Sequence, residues 1–315
     1  MEKDRLEALR KKRAERKRKQ RIRLLIVVIC FAAIIFVVVF AVKSAVTFIK
    51  NSIPTPTPSP VAVVSELGEP SAAAQTGEAA VPQNTAEPVQ YAELANPSEQ
   101  NDILKYFEEN SSQKKVCYLT FDDGPNNSVT PLILDTLRRY NIKATFFQVG
   151  TLIEDNFDMA KRVYEEGHLT GNHSYDHTYS KIYADGESFI NEFNKCSEQI
   201  KKVTGDDYFP IMRFPGGSFD AGSYGAAKQE YKTLLAQAGV YHCDWNALTG
   251  DAEGSPKTTE QMLERIKSSS KNKNQLVVLM HDANNKKQTA EALPKIIEYL
   301  ISEGYTFSRL DKPIF

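Results

Sequence analysis

Several things are scarce in this chain. Cysteine occurs four times in 315 residues, and Cys30 sits inside an apolar run, which leaves Cys117, Cys196 and Cys243 for the rest. An odd number argues against a disulfide framework. Cys117 and Cys243 fall in apolar, strand-like runs and read as small buried hydrophobes. There are only five histidines and one tryptophan, and no internal repeat is visible. Sixteen glycines amid 41% apolar and 25% charged residues exclude a collagen-like or wholly disordered chain. Net charge is nearly absent too, at −1, but that average hides a split. Residues 1–50 hold 14 Lys/Arg and 4 Asp/Glu, whereas the remainder holds 25 and 36. The bulk is acidic, the wrong sign for phosphate, so a nucleic-acid partner is not expected.

From Leu24 to Val42 nineteen residues carry no charge. At a helical rise of about 1.5 Å per residue this run nearly spans a hydrocarbon core of roughly 30 Å, so a transmembrane helix is expected. Twelve Lys/Arg in the preceding arm, residues 1–23, predict a cytoplasmic N-terminus and an extracellular C-terminal part at the cell membrane. A cleaved signal peptide is the competing reading. It fits less well, because the run exceeds the usual apolar core and no A-x-A site follows closely. Residues 43–112 read as a disordered stalk: eight of the fifteen prolines lie between Asn51 and Pro97 among Ala, Ser, Thr, Gln and Glu. Such composition cannot bury enough surface to fold and suits a spacer. A short helix is expected near residues 98–110, and the folded unit at 113–315.

That unit alternates strand-like and helix-like segments. Strands are expected at Val116–Phe121, Ala144–Gly150, His168–Asn172, Ile211–Phe214, Val240–Trp245, Leu276–Met280 and Tyr305–Leu310. Between them lie amphipathic segments closing at Gly167, Gly205, Gly239 and Gly304. Alternation demands parallel strands with crossover helices, hence an α/β sheet or barrel, whose chemistry gathers at the carboxyl ends of the strands.

Those ends carry the reactive residue types. TFDDGP, holding Asp122 and Asp123, closes the first strand. Alone it reads equally as an Asp-rich turn. HSYDH after the third strand offers His173 and His177, which a helix would place on one face within reach of a single ion. RFPGG brings Arg213, Trp245 is followed by Asp251, and VVLMHD ends on His281. Each has a bland explanation in isolation; their shared position at strand ends does not. His168 and His242 lie at strand starts and read as structural.

With these motifs assembled, residues from about 114 to the C-terminus resemble the polysaccharide deacetylases of the NodB-homology group, carbohydrate esterase family 4. The carriers are TFDDGP, HSYDH, RFP, the Trp with its later Asp, and LMH. The resemblance implies a distorted (β/α)7 barrel. It further implies that Asp123, His173 and His177 hold one divalent metal ion, zinc or sometimes cobalt. Asp122 would be the general base, with Arg213 as its charge partner. His281 would be the general acid, oriented by Asp251, and Trp245 and Leu279 would form a slot for the acetyl methyl. A backbone N–H near Gly216 would face the carbonyl oxygen. Two positions depart from the family pattern, since Gly216 and Ala252 stand where aromatic residues are usual, and both remove groove wall.

The implied activity is N-deacetylation of cell-envelope polysaccharide, with the N-acetylglucosamine of peptidoglycan foremost. Deacetylation of chitin oligomers or O-acetylated xylan uses the same chemistry. A catalytically silent glycan-binding wall protein is the reading from another class, and it typically lacks a metal ligand or the base.

Overall fold

In the computed structural model, residues 101–111 and 113–314 are described. The basic arm, the membrane span and nearly all of the stalk expected from the sequence lie outside them. Among the described residues no helix is long and apolar enough to cross a membrane.

Eight strands form one wholly parallel sheet. They are β1 (Val116–Gly124), β2 (Thr145–Gln148), β3 (Leu169–Asn172), β4 (Ile211–Met212), β5 (Tyr241–His242), β6 (Ala247–Leu248), β7 (Gln275–His281) and β8 (Thr306–Phe307). Their order is β5-β4-β3-β2-β1-β7-β6, and β8 joins β1 at Val116 and Cys117. The two outer members of this path, β5 and β6, are joined to each other by no ladder, so the barrel is incomplete there.

β1 shows why the sheet is parallel and covered on both faces. Nearly all of its nine residues are buried, as a strand with apolar cover on each side requires. Cys117, Leu119 and Phe121 face outward, into a cluster with Ile133, Leu134 and Leu137 of α2 (Thr130–Arg139) and with Leu293, Ile296 and Leu300 of α9 (Lys287–Ser302). Val116 and Tyr118 face the other way and share a core with Phe147, Leu169, Ile211, Cys243 and Val277. Side chains from β1, β2, β3, β4 and β7, with Cys243 just past β5, meet in one cluster only if the sheet curls on itself. Cys117, Cys196 and Cys243 are free and buried.

Two expectations are corrected. Seven strands were foreseen, but the run Val240–Trp245 pairs only at Tyr241 and His242 before the chain crosses to a new edge and forms β6 against β7. Arg213 explains the break: its guanidinium donates to the carbonyls of Cys243 (2.9 Å) and Asp244 (3.1 Å). Backbone acceptors that no strand satisfies are thus taken by a side chain. The short helix assigned to the stalk, α1 (Ile103–Glu109), belongs to the packed body instead. Asp102 caps it, and Ile103 and Phe107 are wholly buried in the barrel core, where Phe107 stacks on Tyr118 at 4.5 Å. The folded body therefore begins before residue 113.

The remaining helices are α3 (Gly150–Asp155), α4 (Phe157–Glu165), α5 (Tyr179–Ile182), α6 (Gly186–Thr204), α7 (Gly225–Gln237) and α8 (Thr259–Ser270). Local signals place several of their starts. Asp185 accepts from the Ser188 N–H to cap α6, and Thr258 with Gln261 forms a reciprocal capping box on α8.

Candidate active site

β1 delivers two consecutive carboxylates to one place, which a regular strand cannot do because neighbouring side chains point to opposite faces. The register with β2 shifts between Asp122, opposite Phe147, and Gly124, opposite Gln148. Asp123 is the extra residue and adopts a left-handed backbone, with φ at 72°. This bulge brings Asp123 alongside Asp122. Gly124 is forced by packing: a Cβ there would run into the carboxylate of Asp282.

His173 and His177 follow β3 in an irregular loop, so the helical face expected for them is absent. They converge because Ser174 and His177 take left-handed backbones, with φ at 68° and 59°. The turn is held from below. Glu192 of α6 accepts from the N–H groups of Tyr175 and Asp176, both at 3.1 Å, and Asn172 accepts from the Ser174 N–H at 2.8 Å. The His173 and His177 Nε2 atoms lie 3.4 and 3.2 Å from Asp123 Oδ1, and the three ligand atoms fall within 4.8 Å of one another. His173 Nδ1 faces the Arg213 carbonyl at 2.9 Å. A carbonyl only accepts, so Nδ1 carries the proton and Nε2 is the atom turned toward Asp123. Burial opposes charge on Asp123, but the imidazoles of His173 and His177 hold its carboxyl well below the usual range. Burial and the neighbouring His173 lower the pKa of His177. One carboxylate and two imidazoles converging, with Asp123 and His177 only partly buried, suit a divalent ion that keeps free coordination positions.

Asp122 is buried, and its Oδ1 receives the Arg213 Nη1 at 3.0 Å. Arg213 is itself fully buried, donates also to Thr120 Oγ1 at 2.6 Å, and lies over the Phe147 ring at 4.3 Å. Its fork is fixed on every side, which orients the carboxylate it pairs with. On the opposite flank of β1, Asp122 and His281 are register partners across β7. His281 Nδ1 lies 3.0 Å from Asp251 Oδ1, and Asp251 Oδ2 accepts from the His281 N–H (2.8 Å) and the Thr289 hydroxyl (2.9 Å). Burial works against a charged imidazole here, but the Asp251 carboxylate outweighs it and pushes His281 up to about 9.

Leu279 opposes Thr120 on β1, two residues before His281 on the same strand face. Trp245 packs edge-on against Phe219 at 5.3 Å. Gly216 is exposed, has φ at 73°, and its N–H takes no partner among the described residues. Every candidate from the sequence thus stands at or beside the carboxyl ends of the strands. His168 is away from this site, buried with Nδ1 accepting from the Ala144 N–H; burial and nearby cations lower it to about 3. His242 faces Asp102 at the foot of α1.

Sequence reasoning missed the supports: Thr120, Glu192, Asp244, Thr289 and Asp282. Asp244 accepts from both the N–H and the hydroxyl of Ser218 (2.8 and 2.7 Å), which shapes the RFPGG loop. Asp282 is buried beside Gly124 with its carboxyl raised to about 7 by burial, and the Thr130 hydroxyl donates to it at 2.6 Å. Only its place next to His281 could have flagged it.

The geometry agrees with three comparisons. The family model for polysaccharide deacetylase matches residues 109–234. A peptidoglycan-N-acetylglucosamine deacetylase of Bacillus cereus is 31% identical over 198 residues, which cover 62% of this chain and 86% of that protein. The peptidoglycan-N-acetylglucosamine deacetylase PgdA of Listeria monocytogenes is 35% identical over 196 residues, again 62% of this chain but 38% of its relative. The chain therefore matches well under half the length of that relative. Among solved structures, the catalytic domain of a peptidoglycan N-acetylglucosamine deacetylase from Eubacterium rectale superposes with a TM-score of 0.58 at 34% identity, covering 65% of this chain and 96% of that one. Motifs, parallel barrel and relatives agree, and the chain belongs to the polysaccharide deacetylase family.

Proposed function

We propose that this protein is a metal-dependent hydrolase that removes N-acetyl groups from cell-envelope glycan, with the N-acetylglucosamine of peptidoglycan as its substrate. One observation carries the reading: Asp123, His173 and His177 converge while a fixed carboxylate, Asp122, and a carboxylate-backed imidazole, His281, stand as register neighbours beside them. A divalent ion held by those three residues, zinc first and cobalt second, would polarise the acetamide carbonyl and acidify the attacking water.

The chain's own groups divide the proton work. Asp122 has one oxygen engaged by Arg213, and the other accepts the proton of the attacking water. The unused Gly216 N–H donates to the carbonyl oxygen as charge develops there. His281 keeps Nδ1–H on Asp251 and gives its Nε2 proton to the amine as the carbon–nitrogen bond breaks. Water adds to the acyl carbon, and acetate and a free amino sugar leave. Leu279 and Trp245 offer apolar surface for the acetyl methyl.

The uncharged run of residues 24–42, its basic flank and the proline-rich segment support a placement outside the cell membrane, tethered on a spacer within reach of wall polymer. The test is acetate release by the purified protein with zinc or cobalt, compared across peptidoglycan, chitin oligomers and acetylated xylan. Release from peptidoglycan, lost in Asp122→Asn, is expected. Faster release from xylan esters moves the substrate, and no release from any polymer ends the enzymatic reading in favour of a silent glycan binder.

A further inference from the structure

Lysine is almost never buried unless it is paired, yet Lys228 of α7 is only 6% exposed. Its ammonium donates to the carbonyls of Gly217 at 2.7 Å and Pro215 at 3.4 Å, and it lies 4.8 Å over the Tyr183 ring. Among the described residues no carboxylate reaches it at ion-pair distance. Burial lowers its pKa, and only the field of Asp244, whose oxygens are occupied by Ser218, works the other way. Placing a cation there costs free energy, and it takes no part in the proton transfers at Asp122 and His281.

The two carbonyls flank Gly216. That of Pro215 is held twice, because the Tyr183 hydroxyl also donates to it at 2.7 Å. The Pro215 carbonyl and the Gly216 N–H belong to one peptide group. This group is trans, since the only cis bond among the described residues is Gly124-Pro125, so its N–H points opposite to its C=O. With the oxygen drawn toward Lys228 and Tyr183, the hydrogen turns away from them, and the Gly216 N–H stays unpartnered on an exposed residue. The rest of the loop is pinned: the Phe214 carbonyl accepts from the Gly217 N–H at 2.8 Å and the Ser218 carbonyl from Gln229 at 3.0 Å. Hydrogen bonds in series polarise one another. A cation and a hydroxyl on the amide oxygen draw electron density from its nitrogen and make the N–H a stronger donor.

We propose that Lys228, together with Tyr183, is a positioning residue for the transition state: through the Pro215-Gly216 peptide group it aims and strengthens the N–H that meets the developing oxyanion. The inference rests on the deacetylase reading and deepens it. Part of the charge that stabilises the tetrahedral state comes from the far side of an amide, from a residue that never touches glycan.

Pro-Gly occurs once in the chain, so the full protein labelled at the proline carbonyl carbon and the glycine nitrogen gives a single carbonyl–amide correlation peak, that of Gly216. Lys228→Met keeps the stem and removes the ammonium, and Tyr183→Phe removes only the hydroxyl. In each, the Gly216 proton and the Pro215 carbonyl carbon should move upfield. Acetate release is followed on soluble peptidoglycan fragments at saturating zinc. The kcat should fall about tenfold in Lys228→Met and about threefold in Tyr183→Phe, fractions of the roughly hundredfold or more that loss of a whole oxyanion donor costs. KM should stay nearly unchanged, because the oxyanion exists only in the transition state. On fragments re-acylated with fluoroacetyl groups, whose oxyanion is less basic, the kcat penalty should shrink, whereas a merely disordered loop would leave it the same. Tyr183→Phe, which keeps the packed ring, carries the test if Lys228→Met does not fold. An unmoved Gly216 peak, a parental kcat, or an equal penalty on both acyl groups overturns the proposal alone when the parent releases acetate. No release by the parent removes the deacetylase reading, and this inference with it.

Discussion

Replacing Asp251 with Asn tests the proton-donor half of the site most sharply. The carboxylate touches His281 twice, at Nδ1 and at the backbone N–H, and Thr289 fixes it from behind. Holding the imidazole at about 9 against a usual 6.5 corresponds to about 3 kcal/mol of preference for the cation. Asn keeps the shape but removes the largest opposing charge, so burial is offset only by the weaker fields of Asp122 and Asp123, and His281 should fall back to about 6.5. If the imidazolium must donate to the leaving amine, the loss of kcat/KM depends on pH. It should be small near pH 6, about tenfold near 7.5 and approaching a hundredfold near 8.5, as the basic limb moves from about 9 to 6.5. Stability follows the same sign. A raised pKa stabilises the fold fully below the unfolded value of about 6.5, and that contribution is lost as pH climbs through about 9. The urea midpoints of parent and variant should therefore differ most at pH 6 and draw together above pH 9. A kcat/KM loss that is uniform across pH, or a basic limb that does not move, refutes His281 as the acid.

Three further changes probe other parts of the structure. His173→Ala should abolish tight zinc or cobalt uptake, read by metal analysis of the dialysed protein and by the cobalt absorption spectrum, because it leaves two ligands. Gly124→Ala should cost about 1–3 kcal/mol in urea unfolding through the collision with buried Asp282, and adding Asp282→Ala should recover part of it; a neutral single variant refutes that packing. Phe107→Ala should cost about 3–5 kcal/mol, since its ring is fully buried against Tyr118; an unchanged unfolding midpoint would show that α1 is not part of the core.

Much of the fold was legible because parallel α/β architecture writes itself locally. Apolar runs such as Val116–Phe121 and amphipathic stretches such as 186–204 alternate, and the reactive residues follow strand ends. What failed did so for physical reasons. β5 and β6 pair over two residues each, too short for periodicity to separate them, and the break is made by Arg213, distant in sequence. The α1 segment resembles its proline-rich neighbours in polarity, and only the pocket under the barrel shows where Ile103 and Phe107 go.

The site divides in the same way. The sequence by itself determined which groups are present and that they lie at one end of a parallel sheet, because strand direction and motif order are properties of the chain. Only the tertiary structure decided how they meet. Two adjacent aspartates converge through a bulge, and two histidines through left-handed turns rather than a helix. Both conformations are unfavourable in isolation and persist because groups distant in sequence, Glu192 and Asp282, together with the local Asn172 side chain, hold the backbone there.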